Sequence, residues 1–174
     1  MKSILFVCLG NICRSPLAEG ILRHKANDKG IDLHIESAGT ESLHEGEKPD
    51  RRSVKIGKER GIDISRQVAR QIRANDFDKF DKILVADAQV YNELEHFTRN
   101  TQDMKKVDFI MNACEPGRNI AVPDPYYGGQ EGFEKVYDML DRACESIISQ
   151  ISNTKMKIPN KTQNPNFKTP NKGS

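Results

Sequence analysis

FVCLGNICRSPLAEGIL, residues Phe6 to Leu22, joins an apolar run to a helix start through a loop with a thiol at one end and a guanidinium at the other. The run Ile4-Leu5-Phe6-Val7 is continuous, so Ser3–Cys8 reads as a strand buried on both faces. Ser15-Pro16 reads as the helix N-terminus, with Ser at the N-cap and Pro at the first helical position. Ala18, Ile21, Leu22 and Ala26 give that helix its apolar stripe. In the loop between them, Gly10 and Asn11 tolerate left-handed backbone. Successive N–H groups can then turn inward at the positive end of a helix and form an anion nest. The nucleotide fingerprints G-x-x-x-x-G-K-[ST] and G-x-G-x-x-G are both absent.

Taken singly, these residues are unremarked. Cys8 ends a buried strand, Arg14 is a surface charge and Ser15 is a helix cap. Taken together, the spacing Cys8-x5-Arg14 lets a thiol and a guanidinium face one tetrahedral anion. N–H dipoles, Arg14 and a helix N-terminus are surroundings that favour a thiolate. Arg14 can hold two anion oxygens in bidentate fashion, and the Ser15 hydroxyl can donate to the sulfur. That is a nucleophile in an oxyanion cradle, suited to phosphoryl transfer through a cysteinyl-phosphate. The leaving group also needs a proton, which the loop does not offer. Val122-Pro123-Asp124-Pro125-Tyr126-Tyr127-Gly128-Gly129 offers a carboxyl fixed between two prolines. Alone, Asp-Pro-Tyr is a turn. Beside a phosphate nest, Asp124 is the candidate general acid.

Further strands are expected at Asp32–Ser37, Lys82–Asp87 and Val107–Met111. Helices are expected at Asp50–Arg60, Ala88–Arg99 and Gly132 to about Ser152, with a helical turn at Asp76–Phe80. Strands alternating with helices imply a parallel sheet covered on both faces, with its site beyond the carboxyl ends of the strands. Cys8, Ser37, Asp87 and the loop after Met111 fall along that edge.

Composition bounds the rest. The chain has 174 residues, 36% hydrophobic and 30% charged, with a net charge of +2, so nothing overall points to nucleic acid. Residues 1–152 read as one domain. Residues 153–174 read as a disordered Asn/Lys/Pro-rich tail with five lysines and no acid. The tail is either a solvated extension or a docking segment. Cys8, Cys13, Cys114 and Cys144 contain no Cys-x-x-Cys pair, and the histidines show no metal-ligand spacing. Free thiols in a reducing compartment, the cytoplasm, are the simpler reading. The N-terminal apolar run is too short for a signal peptide, and no stretch is long enough to span a membrane.

VCLGNICRSP (Val7–Pro16), ESAGT (Glu36–Thr40), VARQI (Val68–Ile72) and DPYYG (Asp124–Gly128) occur in this order. Together they resemble the low-molecular-weight protein tyrosine phosphatase family from about Lys2 to Ser152. The resemblance implies a flavodoxin-like three-layer α/β sandwich with a four-stranded parallel sheet, and hydrolysis without metal or cofactor. It implies Cys8 as nucleophile, Arg14 as phosphate and transition-state binder, and Asp124 as general acid and then base. Leu9, Gly10, Asn11, Ile12 and Cys13 then supply loop amides, Ser15 assists the thiolate, Asn11 holds the loop with Ser37, and Tyr126 lines the pocket. It also implies a phosphotyrosine protein as substrate, with a tyrosine kinase as the opposing enzyme. Cys13 is either a small loop filler or a trap for oxidised Cys8.

Related protein-arginine phosphatases carry Thr where this chain has Ile12, and an apolar residue there suits a phenyl ring. Two positions depart from the family pattern. Leu43, followed by His44, stands where a rim aromatic is usual, and Gln67 stands where a His bonds the loop Asn. Two other functions stay in view. A thiol-dependent arsenate reductase needs a further cysteine pair, and Ala86–Phe97 holds none. A non-catalytic phosphate-binding module needs neither nucleophile nor acid, yet both are present.

Overall fold

The computed structural model describes residues 1–156 of the chain. Strand β1, Ser3–Cys8, is buried along its whole length, as its unbroken apolar run requires. It lies inside a four-stranded parallel sheet with β2 (His34–Gly39), β3 (Lys82–Val85) and β4 (Val107–Phe109), in the order β2-β1-β3-β4. Side chains alternate across β1. Ile4, Phe6 and Cys8 enter one core, with Leu17 and Ile21 of α1 (Arg14–Asp28) and Val136, Leu140 and Ile147 of α5 (Gln130–Met156). Leu5 and Val7 enter a second core, with Phe77 of α3 (Asp76–Lys79) and Val90 and Leu94 of α4 (Ala88–Leu94). Helix α2, Arg51–Glu59, packs on the α5 side. The result is the expected three-layer α/β sandwich.

The strand order reverses between β1 and β3. Crossovers from these neighbours run to opposite sides, which opens a crevice at the carboxyl end of β1. Cys8 is the last residue of β1, so the topology alone puts its sulfur at the crevice.

Several element bounds differ from the expectation. Helix α1 starts at Arg14 with Cys13 at the N-cap position, so Ser15 lies inside the first turn and does not cap it. Pro16 is tolerated there because first-turn N–H groups have no intrahelical acceptor. Strand β2 runs two residues later than expected, because its register is set by pairing with β1, from Ser3 opposite His34 to Cys8 opposite Gly39. The expected helix to Arg99 stops at Leu94 and gives way to a 3₁₀ turn at Glu95–Phe97. Thr98 Oγ1 closes that turn on the Glu95 carbonyl, and the Arg99 N–H is taken by Asp103. Strands β3 and β4 are shorter than expected, and a 3₁₀ turn at Ile110–Ala113 follows β4. Helix α5 continues through Met156, past the boundary expected at Ser152. The rest of the expected tail, 157–174, lies outside the described residues. Among the described residues no helix is long and apolar enough to cross a membrane.

Candidate active site

The loop after β1 is turned outward by its carbonyls. Cys8 O accepts from Thr40 N at 3.0 Å, Leu9 O from Glu41 N at 3.0 Å and Ile12 O from Asp50 N at 2.8 Å. Ser53 Oγ reaches Cys13 O at 3.5 Å. The N–H groups of Leu9 to Cys13 have no partner among the described residues. Outward carbonyls and open amides are what an anion nest at a helix N-terminus requires. Gly39 lets the end of β2 slide beneath the loop, since a Cβ there would stand 2.6 Å from Leu9 O.

Asn11 fixes the turn. Its backbone is left-handed, with φ 55°, and its side chain is buried. Asn11 Nδ2 donates to Ser15 Oγ at 2.8 Å and Ser37 Oγ at 3.0 Å, and Asn11 Oδ1 accepts from Arg70 N at 2.9 Å. Ser37 Oγ donates onward to Glu19 Oε2 at 2.6 Å. Ser15 Oγ lies 2.9 Å from Cys8 Sγ. The hydroxyl expected as a helix cap is therefore spent on the sulfur. Asn11→Ala is expected to cost about 2–4 kcal/mol in urea unfolding, since it strands buried hydroxyls and forces Ala into a left-handed turn. Asn11→Gly, which relieves the backbone strain, is expected to cost less. A change below about 0.5 kcal/mol for Asn11→Ala would mean that the network does not hold the loop.

A cavity of about 180 Å³ opens over the loop. Of the residues expected to bind substrate, Cys8, Leu9, Gly10, Ile12, Cys13, Arg14, Leu43, Asp124 and Tyr126 line it. The Asn11 and Ser15 side chains do not; they stand beneath the loop as its supports. Arg14 is buried, and its Nη1 donates to Asp87 Oδ2 at 2.5 Å and to Val122 O at 3.0 Å. Its Nη2 lies 3.5 Å from Asp124 Oδ2. Burial works against charge on this guanidinium, but the Cys8 sulfur and Asp87 outweigh it and raise its pKa above the ordinary value. Asp124 is part-exposed and faces the cavity, and its Oδ1 accepts from Tyr126 N at 3.0 Å. That bond aims the carboxyl. Cys13 is held as a thiol. Burial, helped by Asp50 and Cys8, pushes its pKa up to about 12, so it sits in the loop as a neutral group.

The model of the family described as "Low molecular weight phosphotyrosine protein phosphatase" matches residues 3–157. The chain belongs to this family. A human low molecular weight phosphotyrosine protein phosphatase is 37% identical over 151 residues, 86% of this chain and 95% of that protein. A protein tyrosine phosphatase from Entamoeba histolytica, crystallised with Hepes in its active site, superposes with a TM-score of 0.81 at 38% identity, covering 89% of this chain and 99% of that one. A Drosophila arginine phosphatase superposes with a TM-score of 0.79 at 32% identity, covering 87% and 98%. Membership places the chain among the protein tyrosine phosphatases.

Within this phosphatase fold, three residues support the site in ways the sequence does not reveal: Asp87, which the sequence places only along the site edge, and Glu19 and Arg70. Asp87 follows β3, caps α4 by accepting from Val90 N, and pairs with Arg14. An Asp at a strand end before a helix is a readable cap signal, but its pairing with Arg14 is tertiary. Glu19 and Arg70 support the loop network from α1 and from the extended segment before α3. Gln67, at the position of the family's His, does not reach Asn11. Its Nε2 donates to Pro16 O at 3.0 Å, and Asn11 Oδ1 accepts from the backbone N–H of Arg70. Cys114 and Cys144 do not line the cavity, and Cys144 is fully buried with its thiol pKa pushed up by that burial. The further cysteine pair that arsenate reduction needs is therefore not at the site, which holds only Cys8 and Cys13.

Proposed function

We propose that this protein hydrolyses phosphotyrosine in protein substrates through a cysteinyl-phosphate on Cys8. The observation that carries the reading is the convergence of Cys8, Arg14 and Asp124 on one small cavity above a loop of open amides. In the first step the Cys8 thiolate attacks phosphorus, and the bond from phosphorus to the tyrosyl oxygen breaks. Ser15 stabilises the sulfur at 2.9 Å. Arg14, aimed by Asp87 and Val122, and the amides of Leu9 to Cys13 hold the equatorial oxygens as charge spreads over them. Asp124 gives its proton to the departing phenolate. In the second step Asp124, now a carboxylate, takes a proton from water. The water oxygen attacks phosphorus, the S–P bond breaks, and phosphate leaves with the Cys8 thiolate restored.

A second reading, phosphoarginine as substrate, draws on the likeness to the Drosophila arginine phosphatase. Ile12 favours phosphotyrosine, because it presents an apolar wall to the ring of the leaving group. The free state of all four cysteines supports work in a reducing compartment such as the cytoplasm. The test is turnover of a phosphotyrosine peptide beside a phosphoarginine peptide. The kcat/KM ratio is expected to favour phosphotyrosine by at least about tenfold, the discrimination one apolar wall supplies. A ratio favouring phosphoarginine would overturn the substrate and leave the nucleophile in place.

A further inference from the structure

We infer that His44, and not Leu43, is the specificity-determining wall at the cavity mouth, selecting aryl over alkyl phosphate. The inference rests on the phosphotyrosine reading above and names a residue for it. Both side chains border the cavity, but they are held differently. Leu43 is 76% exposed. The His44 side chain is 22% exposed and packs on the loop, where a Cβ on Gly10 would stand only 3.0 Å from His44 Cδ2. The absence of a side chain at residue 10 is therefore the room that the imidazole uses.

The ring is also fixed in orientation. His44 Nδ1 lies 2.8 Å from Glu47 Oε2. The segment carrying it is tied at both ends, by Glu41 N to Leu9 O at 3.0 Å, and by Gly46 N to Ala69 O and Ala69 N to Glu47 O at 2.8 and 2.9 Å. Across the mouth, Tyr126 meets His44 with ring centroids 6.4 Å apart and planes tilted by 47°. Arg52 packs on Tyr126, its guanidinium 5.5 Å from the ring centroid. The two rings form an aromatic lip beside Ile12, built on rigid supports. Such a lip contacts the ring of a phenolic phosphate and leaves the phosphate to the loop. An exposed leucine has no comparable anchor.

The test separates this lip from the phosphate loop and from catalysis. Binding of benzylphosphonate and of inorganic phosphate is measured by calorimetry for wild type, His44→Ala, His44→Phe and Leu43→Ala. His44→Ala is expected to weaken benzylphosphonate about five- to tenfold and phosphate less than about twofold. His44→Phe is expected to restore the benzylphosphonate affinity, and Leu43→Ala to weaken it less than His44→Ala does. On a phosphotyrosine peptide, His44→Ala is expected to raise KM by a similar factor with kcat within about twofold. The inference is overturned if both ligands weaken equally, which would make His44 a mere prop for the loop. It is also overturned if the aryl preference survives His44→Ala, if Leu43→Ala costs more, or if His44→Phe fails to restore binding. The calorimetry needs no turnover, so loss of the phosphotyrosine reading would show separately, as a wild-type enzyme inactive on that peptide.

Discussion

Cys8→Ser is expected to lower kcat on a phosphotyrosine peptide by at least about 10,000-fold while the protein stays folded and still binds phosphate. The size follows from what the substitution removes. A serine hydroxyl at the end of β1 is a poor nucleophile without a general base, and in the first step Asp124 is the proton donor, so it cannot serve as one. Ser15, its near neighbour, accepts from Asn11 Nδ2 and turns its hydroxyl toward residue 8, and Arg14 is a cation. Removing an essential nucleophile elsewhere has cost comparable factors. Binding survives because the anion is held by loop amides and Arg14, which the substitution leaves in place. Turnover within about tenfold of wild type would refute Cys8 as nucleophile. Loss of phosphate binding along with turnover would show that the substitution had damaged the loop.

Asp124→Asn is the second large effect. On phosphotyrosine, kcat is expected to fall about 100- to 10,000-fold, the usual yield of a positioned general acid. The variant is well chosen because Asn keeps an Oδ1 acceptor for Tyr126 N, so the chain path between Pro123 and Pro125 is preserved. It loses the charge beside Arg14, but that contact is long, at 3.5 Å, and Asp87 remains as the main partner. The diagnostic feature is dependence on the leaving group. Formation of the phosphocysteine from p-nitrophenyl phosphate, whose phenolate leaves without help, is expected to suffer less than from phosphotyrosine. Burst kinetics on the two substrates give the comparison. Equal losses on both would assign Asp124 to positioning, with the proton coming from elsewhere.

The three residues proposed for catalysis are legible because each carries a local signal. Cys8 and Arg14 share one strand–loop–helix, and Asp124 is pinned by flanking prolines. The parallel sheet followed from the alternation of apolar runs with helical stripes. What was not legible depends on contacts across the chain. Ser15 looks like a cap by spacing, and only the approach of Cys8 Sγ recruits its hydroxyl elsewhere. Asp87 signals a helix start, yet its pairing with Arg14 spans 73 residues. The bounds of β2 are dictated by β1 across the sheet, not by its own residues. Gln67 stands where the family's His would bond Asn11, but Asn11 Oδ1 is bonded by the backbone N–H of Arg70, which no side-chain pattern reveals. His44 lies next to Leu43, which stands at the position of the family's rim aromatic. Its placement depends on how the segment after β2 folds back over Gly10. Helix α5 runs past the expected boundary because its packed face continues to Ile148 and Ile151, both buried in the core.

The proposed mechanism stands most directly on the covalent intermediate. Wild-type enzyme and Asp124→Asn are mixed with excess p-nitrophenyl phosphate, quenched within a turnover, digested and measured by mass spectrometry. The mechanism predicts one phosphoryl group on the peptide containing Cys8, with the label absent from Cys8→Ser. It also predicts accumulation in Asp124→Asn, where water is not activated. Turnover with no phosphoryl group on Cys8 at any quench time, or with the group on another residue, would contradict it.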